Sequence, residues 1–334
     1  MLPIAANLQV RLRRRPTGPP KADDFECAAG PMPSPRSGEV LVKVLYLSLD
    51  PALRPRMNML SDYAGAVAIG DPVPSPALGV VEASRSPLFA PGDHVFGFLG
   101  WQSFAVADAR SLRLIDPSRA PLPKWMSLLG LSSFTAWVGL TEIGKPQAGE
   151  TVVVSAASGA TGLAAGQIAH IMGARCVGIA GGHDKCRTVV EEFGFDACVD
   201  YKAPTFLDQL DAACPDGVDV DFENVGGDIL RSVFQRMNPR GRVVICGLVS
   251  EYNGDTWRDG PSLWPTVYKA LRIEGFRAST YFDRLPQFVD QALTWAADGR
   301  FRHVEHITRG IESTPQAFAD MLAGRHCGKA MVQI

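Results

Sequence analysis

A chain of 334 residues is longer than one core usually supports, and it suits two domains. Hydrophobic residues make up 46% of it, enough for large cores and enough to exclude global disorder. The 33 basic and 35 acidic residues are interspersed and sum to a formal charge of -2, so a phosphate-tracking nucleic-acid surface is not expected.

No run of about 18 apolar residues and no apolar signal core is present, which predicts no membrane span and a cytoplasmic location. The cysteines stand singly with no C-x-x-C pair and read as reduced, mostly buried thiols. From Leu8 to about Trp125 the chain is rich in proline, glycine and short apolar runs, and Arg13-Arg14-Arg15 reads as a solvated loop. Residues 39–46, 77–83 and 92–97 alternate as short antiparallel strands do, with Pro91-Gly92-Asp93 as a turn, which together predict a small β-barrel. Met126 to Glu142 lacks proline and reads as a helix entering a new domain, so the boundary falls near residue 128. Strands are then predicted at 151–156, 175–180, 197–200, 218–223, 242–247 and 271–276, with helices such as 163–172 and 185–193 between them. That alternation is an α/β pattern with a doubly wound parallel sheet. A last strand, 329–334, is expected to return to the first domain, giving domains 1–128 with 303–334 and 129–302.

Thr151 to Val154 is a β-branched run that ends in small residues, Ser155-Ala156-Ala157-Ser158-Gly159-Ala160-Thr161-Gly162. The spacing Ala156-x-x-Gly159-x-x-Gly162 departs from the literal G-x-G-x-x-G dinucleotide fingerprint. Its mechanism survives: glycines let amides of a helix's first turn face a pyrophosphate, where the helix dipole favours negative charge. An ordinary strand, turn and helix would read the same way. Gly166 is expected to let the helix lie close to its strand.

At the end of the second strand an acidic residue would mark NAD. The chain has Ala180-Gly181-Gly182-His183-Asp184-Lys185 there, which favours NADP(H): Gly181 leaves room and Lys185 can reach a 2'-phosphate, with Arg187 and His183 as helpers. The competing reading makes Lys185 and Arg187 solvated helix residues and leaves Asp184 for a hydroxyl. No metal is expected: between residues 28 and 175 there is no cysteine, and His94 and His170 are the only histidines, too few donors for zinc.

The chain resembles the zinc-free branch of the medium-chain dehydrogenase/reductase superfamily. It is most similar to the leukotriene B4 12-hydroxydehydrogenase, prostaglandin reductase and curcumin reductase group of NADPH-dependent alkenal and enone reductases. The residues that carry the resemblance run nearly end to end: 15–20, Leu47-Ser48-Leu49-Asp50-Pro51, Pro91-Gly92-Asp93, Gly100-Trp101-Gln102, 156–162, Gly194-Phe195-Asp196, Asp200-Tyr201-Lys202 and Glu223-Asn224-Val225-Gly226-Gly227. It implies a GroES-like β-barrel joined to a Rossmann domain. It also implies that Ala156, Ser158, Gly159, Ala160, Thr161 and Gly162 hold the pyrophosphate, and that Gly181, Lys185 and Tyr201 surround the 2'-phosphate. Asn224 then sits at the ribose, and Gly247 and Val249 lie against the nicotinamide. Tyr252 and, second, Tyr268 are the candidate donors to the substrate's carbonyl oxygen.

Two positions depart from the group. Ala52 stands where a substrate-facing tyrosine is usual, and His326 replaces the asparagine of a Gly-x-Asn-x-Gly-Lys motif. The expected chemistry is hydride transfer to the β-carbon of an unsaturated ketone or aldehyde, and the resemblance implies a homodimer. An NADPH:quinone reductase and a non-catalytic NADPH sensor remain open.

Overall fold

The computed structural model describes residues 6–58, 65–254 and 260–334. Two compact units divide the chain, Met1–Met126 with Glu305–Ile334 and Ser127–Val304.

In the first unit β1 (Asn7–Leu12) pairs antiparallel with β2 (Phe25–Gly30). A larger sheet holds β3 (Glu39–Ser48), β4 (Pro76–Ser84), β5 (His94–Phe98), β6 (Phe104–Asp108) and β7 (Arg113–Ile115). Alternation along β3 buries Val40, Val42, Val44 and Leu47, as a pleated strand with one face on a core requires. Its length lets it serve as the hub: β4 takes one edge, while β6 takes the opposite edge from Glu39 to Lys43. The predicted turn between β4 and β5 forms, with Gly92 at φ 98° and an Asp93 carboxylate oxygen accepting from the Ala90 amide at 2.7 Å. Arg13-Arg14-Arg15 is more engaged than a solvated loop. Arg14 pairs with Asp23 and Asp24, and Arg15 donates to the carbonyls of Met57 and Asn58.

The second unit is built on six parallel strands, β8 (Thr151–Ser155), β9 (Arg175–Ala180), β10 (Ala197–Asp200), β11 (Val218–Glu223), β12 (Met237–Ile245) and β13 (Arg272–Gly275). Their order across the sheet is β10-β9-β8-β11-β12-β13. The β-branched β8 is buried along its whole length because it lies between β9 and β11. β12 begins five residues before the predicted 242: Val218 pairs with Met237 and Val220 with Arg242, so Asn238 to Gly241 bulges with Arg240 at φ 64°. The single helix predicted from Met126 to Glu142 is broken into Leu122–Met126, Leu131–Val138 and a widened turn, Gly139–Gly144. The interruption falls at residues 127–130, and the widened turn packs closely: a Cβ on Gly139 would stand 2.7 Å from the Phe222 ring.

The chain then returns to the first unit through β14 (Glu305–Arg309) and β15 (Lys329–Gln333). β15 fills the remaining edge of β3, pairing Met331 with Ser48 and Gln333 with Tyr46. Two of the family-like motifs meet here, since the buried Lys329 ammonium lies 2.5 Å from Asp50 and donates to the Leu49 carbonyl.

Candidate functional site

The strand order of the second unit reverses direction between β8 and β11: the chain runs outward from β8 to β10, then restarts beside β8 and runs outward to β13. Ligands of such sheets bind outside the carboxyl ends of the strands at this switch point. Two loops leave it, Ala156–Gly159 after β8 and Asn224–Gly226 after β11. They are fastened to each other: the Ser155 hydroxyl donates to Glu223 Oε1 at 2.6 Å and accepts from the Asn224 amide at 2.7 Å. Asn224 Nδ2 also donates to the Ser155 carbonyl at 2.7 Å. Sequence reasoning quoted Glu223 only as part of a motif and gave Ser155 no role. Their signal was a hydroxyl and a carboxylate, each at the end of a central strand.

In the first loop Ala156 takes a left-handed conformation, φ 49°, which explains why glycine is usual in such turns. Gly159 caps the helix Ala160–Ile171 without any side-chain cap, and no acidic residue occupies the first turn. By helix geometry the amides of Ala160, Thr161 and Gly162 have no intrahelical acceptor. A side chain at Gly162 would stand 2.3 Å from the Ala156 carbonyl oxygen, so only glycine lets the turn fold onto the helix this tightly. Ser158 is buried beside it. At Gly166 the Phe195 ring takes the space of a side chain, 1.9 Å from where a Cβ would be.

At the end of β9, Gly181 stands where a ribose-binding carboxylate would be. The Tyr201 ring lies against it, with ring and hydroxyl atoms 2.8 and 3.0 Å from a hypothetical Cβ, and the Lys202 side chain follows at 3.1 Å. The Lys202 ammonium is 5.8 Å from the centre of the Tyr201 ring. Asp200 does not compete for a ribose from here: it accepts from the amides of Gly182 and Lys202, and those hydrogen bonds hold its carboxyl below the usual range. Lys185 is half-buried in the first turn of His183–Glu191, whereas Arg187 pairs weakly with the exposed Asp184. In the sequence Lys202 stands only as part of the Asp200-Tyr201-Lys202 motif, because nothing in its spacing distinguishes it from a surface lysine.

Beyond β11 and β12, the Val249 amide donates to the Asn224 carbonyl at 3.0 Å and the Ser250 amide to that of Val225 at 2.9 Å. Tyr252 reaches back over this loop, so that a Cβ on Gly247 would stand 3.0 Å from its hydroxyl and 3.6 Å from the Asn224 carbonyl oxygen. Asn224, Gly247, Val249 and Tyr252 thus form one group. Tyr268 does not join it: it ends the helix Trp264–Tyr268 at 61% exposure, its ring against Trp264. His326 belongs to the first unit, where its ring stacks on His306 at 3.7 Å.

Beneath the site two carboxyls project from β11 into the interior, Asp221 and Glu223, both fully buried. Glu223 Oε1 also takes the amides of Val225 and Gly226, which shapes the turn after β11. Both Asp221 oxygens lack a hydrogen-bond partner among the described residues. Burial, reinforced by the Glu223 charge, pushes Asp221 well above the ordinary carboxylate range, and burial raises Glu223 as well. No group of three or more His, Cys, Asp or Glu side chains among the described residues could hold a metal ion. His94 is the first residue of β5.

Two family models match the chain, the N-terminal domain of oxidoreductase over residues 8–115 and zinc-binding dehydrogenase over residues 160–294. NADPH-dependent curcumin reductase of Escherichia coli is 38% identical, over 97% of this chain and 95% of its own length. The 2-alkenal reductase (NADP+-dependent) of Nicotiana tabacum is 36% identical over 98% of each chain. The crystal structure of CurA from Vibrio vulnificus in complex with NADPH superposes with a TM-score of 0.92, at 37% identity and 98% coverage of both chains. The chain belongs to the medium-chain dehydrogenase/reductase superfamily, in the branch that contains curcumin reductase, 2-alkenal reductase and prostaglandin reductase 1.

Proposed function

We propose that the protein is an NADPH-dependent reductase of the carbon–carbon double bond in α,β-unsaturated ketones and aldehydes. The observation that carries the cofactor choice is Gly181 at the end of β9, packed against Tyr201 and Lys202 where NAD enzymes place a carboxylate. The uncapped helix start at Ala160, behind a loop that only small residues could fold, fits a pyrophosphate. NADPH, when bound, supplies the hydride. The amides of Ala160, Thr161 and Gly162 would hold its pyrophosphate, with Ala156, Ser158 and Gly159 shaping the cradle. Lys185, Tyr201 and Lys202 would hold the 2'-phosphate, and Asn224 a ribose. Gly247 and Val249 would flank the nicotinamide with backbone. His326, at the position of the family's asparagine, is a further cofactor residue in this reading.

As negative charge grows on the substrate's carbonyl oxygen, a positioned hydroxyl lowers the barrier by donating to it. Tyr252 is the first candidate, since its hydroxyl lies against Gly247, and Tyr268 is the second. Solvent can protonate the α-carbon of the resulting enolate. The test is NADPH oxidation with 2-alkenals and enones, then with quinones, followed by absorbance. Turnover of enones with retention of the carbonyl supports the reading. Turnover of quinones alone makes the protein a quinone reductase, and binding without oxidation of either class makes it a sensor.

The supporting feature for a homodimer is the outer edge of the second unit's sheet. All of β13 is exposed, and Leu263, Trp264 and Val267 are each more than 60% exposed, an apolar edge of the kind that pairs with another chain. Light scattering behind a sizing column tests it. No helix among the described residues is long and apolar enough to cross a membrane, and we assign the enzyme to the cytoplasm.

A further inference from the structure

His303 stands two residues before β14, at the end of the second unit, and is 7% exposed. Its backbone neighbours hold it against the helix Ala160–Ile171. Gln167 of that helix takes both main-chain groups of Arg302: its Oε1 accepts from the Arg302 amide at 2.8 Å, and its Nε2 donates to the Arg302 carbonyl at 3.0 Å. Phe301 is buried, its ring edge-on to Trp295. Residues seven apart share a helix face, so the side chain that follows this clamp reaches the first turn at Ala160. There His303 Nε2 lies 3.1 Å from the Ala160 carbonyl oxygen, and Nδ1 lies 3.1 Å from the Val304 carbonyl oxygen.

A carbonyl oxygen only accepts. A neutral imidazole carries one N–H and one lone pair, so one ring nitrogen here would turn its lone pair on an oxygen. Only the imidazolium donates to both. Ala160 is also the residue that opens the pyrophosphate cradle, which puts the second ring proton in the same helical turn as the amides of Ala160, Thr161 and Gly162.

We propose that His303 is a cationic support of that cradle, holding both ring protons when an anion occupies the three amides, so that dinucleotide affinity depends on pH. The inference rests on the dinucleotide reading above and adds a residue and a regulation to it. Burial and the positive end of the helix dipole oppose a cation here, whereas two charge-assisted hydrogen bonds favour it. A bound anion tips this balance toward the protonated ring. Affinity is therefore highest below the titration point of the empty site, falls as pH rises toward that of the occupied site, and is level above both.

The charged groups on the surrounding elements are placed or engaged elsewhere. Along Ala160–Ile171 the titratable side chain is His170, at the far end and 3.9 Å from Asp196. On its own segment Arg300 pairs with Asp298, the exposed Arg302 donates to the Gly299 carbonyl, and Glu305 is taken by Lys124 at 2.9 Å. The helix Leu285–Ala297, which carries Trp295, offers only Asp290, which is exposed.

The experiment measures NADP+ and NADH binding by calorimetry from about pH 5.5 to about pH 8, where an imidazole titrates, for the wild type and His303→Gln. The 2'-phosphate of NADP+ titrates in the same range but contributes equally to both proteins, so their difference reads His303. Over this range the wild type is expected to lose about tenfold more affinity than the variant, the effect of one partly screened unit charge. The same difference is expected with NADH, since the pyrophosphate is common to both. Nitrogen-15 NMR of the wild-type complex at the acidic end is expected to show both His303 ring nitrogens protonated. Parallel pH curves for the two proteins overturn the proposal, as does a difference confined to NADP+ or a ring with a single N–H in the complex. If neither dinucleotide binds at any pH, the dinucleotide reading fails instead. The spectrum of the free protein then decides the protonation alone, and a ring that keeps one N–H at the acidic end overturns it.

Discussion

The Ser155 hydroxyl and the Glu223 carboxylate meet at 2.6 Å, joining the carboxyl ends of the two strands that flank the switch point. Because the same hydroxyl accepts from the Asn224 amide, one small side chain fixes where both loops start. Ser155→Ala removes a donor from a buried carboxylate and an acceptor from a half-buried amide. It is expected to cost about 1–3 kcal/mol of stability and to weaken NADPH binding more than it slows turnover at saturation. Denaturant unfolding beside a Kd and kcat measurement checks both parts. A loss confined to kcat would contradict the positioning role.

Asp221 sits on the same strand face with no partner for either oxygen among the described residues. Burial, with the Glu223 charge behind it, holds its folded pKa well above the ordinary value near 4. Between these values the folded protein keeps a proton that the unfolded chain has released, so stability falls as pH rises through the window. Asp221→Val, similar in volume and suited to a strand, is expected to raise stability at neutral pH by about 1–3 kcal/mol. The gain shrinks as pH falls toward the unfolded pKa, where the wild-type carboxyl is protonated in both states. Unfolding curves across that pH range decide it, and a gain that grows on acidification would reverse the sign.

The sheet of the second unit was legible because its strands are short β-branched runs with a strict helical alternation: 175–180, 197–200 and 218–223 carry the same bounds in sequence and structure. What escaped the pattern depended on contacts distant in sequence. The Phe222 ring packs against Gly139 in the widened turn, and the Phe195 ring fills the space beside Gly166. The bulge at Asn238 to Gly241 carries no strand signal, because Pro239 and Gly241 are turn residues in any local reading. At the site, Gly181 and Lys185 could be read from one motif, but Lys202 becomes a candidate only when β10 is laid beside β9.

In the proposed NADPH reading, that juxtaposition offers the 2'-phosphate two cations of unequal weight. Lys185→Ala is expected to weaken NADPH by about tenfold to a hundredfold, the range of one charge-assisted contact, while NADH binding stays nearly unchanged. Lys202→Ala is expected to give a smaller loss in the same direction, because its ammonium also lies over the Tyr201 ring. Paired Kd values for both dinucleotides check the assignment. Equal effects on NADPH and NADH would show that neither lysine reads the 2'-phosphate.

The two tyrosines differ in a way that separates catalysis from packing. Tyr252 lies over Gly247 with its hydroxyl at the loop that joins Asn224 to Val249, whereas Tyr268 is 61% exposed at the apolar edge beside β13. A donor to a developing enolate acts in the transition state, so its loss lowers kcat while the substrate's KM changes little. Tyr252→Phe is therefore expected to lower kcat for an enone by about tenfold to a thousandfold, the scale of one oxyanion donor, with NADPH affinity retained. Tyr268→Phe is expected to leave kcat within a few-fold, and Tyr268→Asp to shift the oligomeric state by placing charge on the apolar edge. Steady-state kinetics with one enone, with light scattering on the same samples, tests the pair. Full turnover in Tyr252→Phe would remove Tyr252 from the chemistry, and full turnover in both phenylalanine variants would leave the oxygen to a donor other than tyrosine.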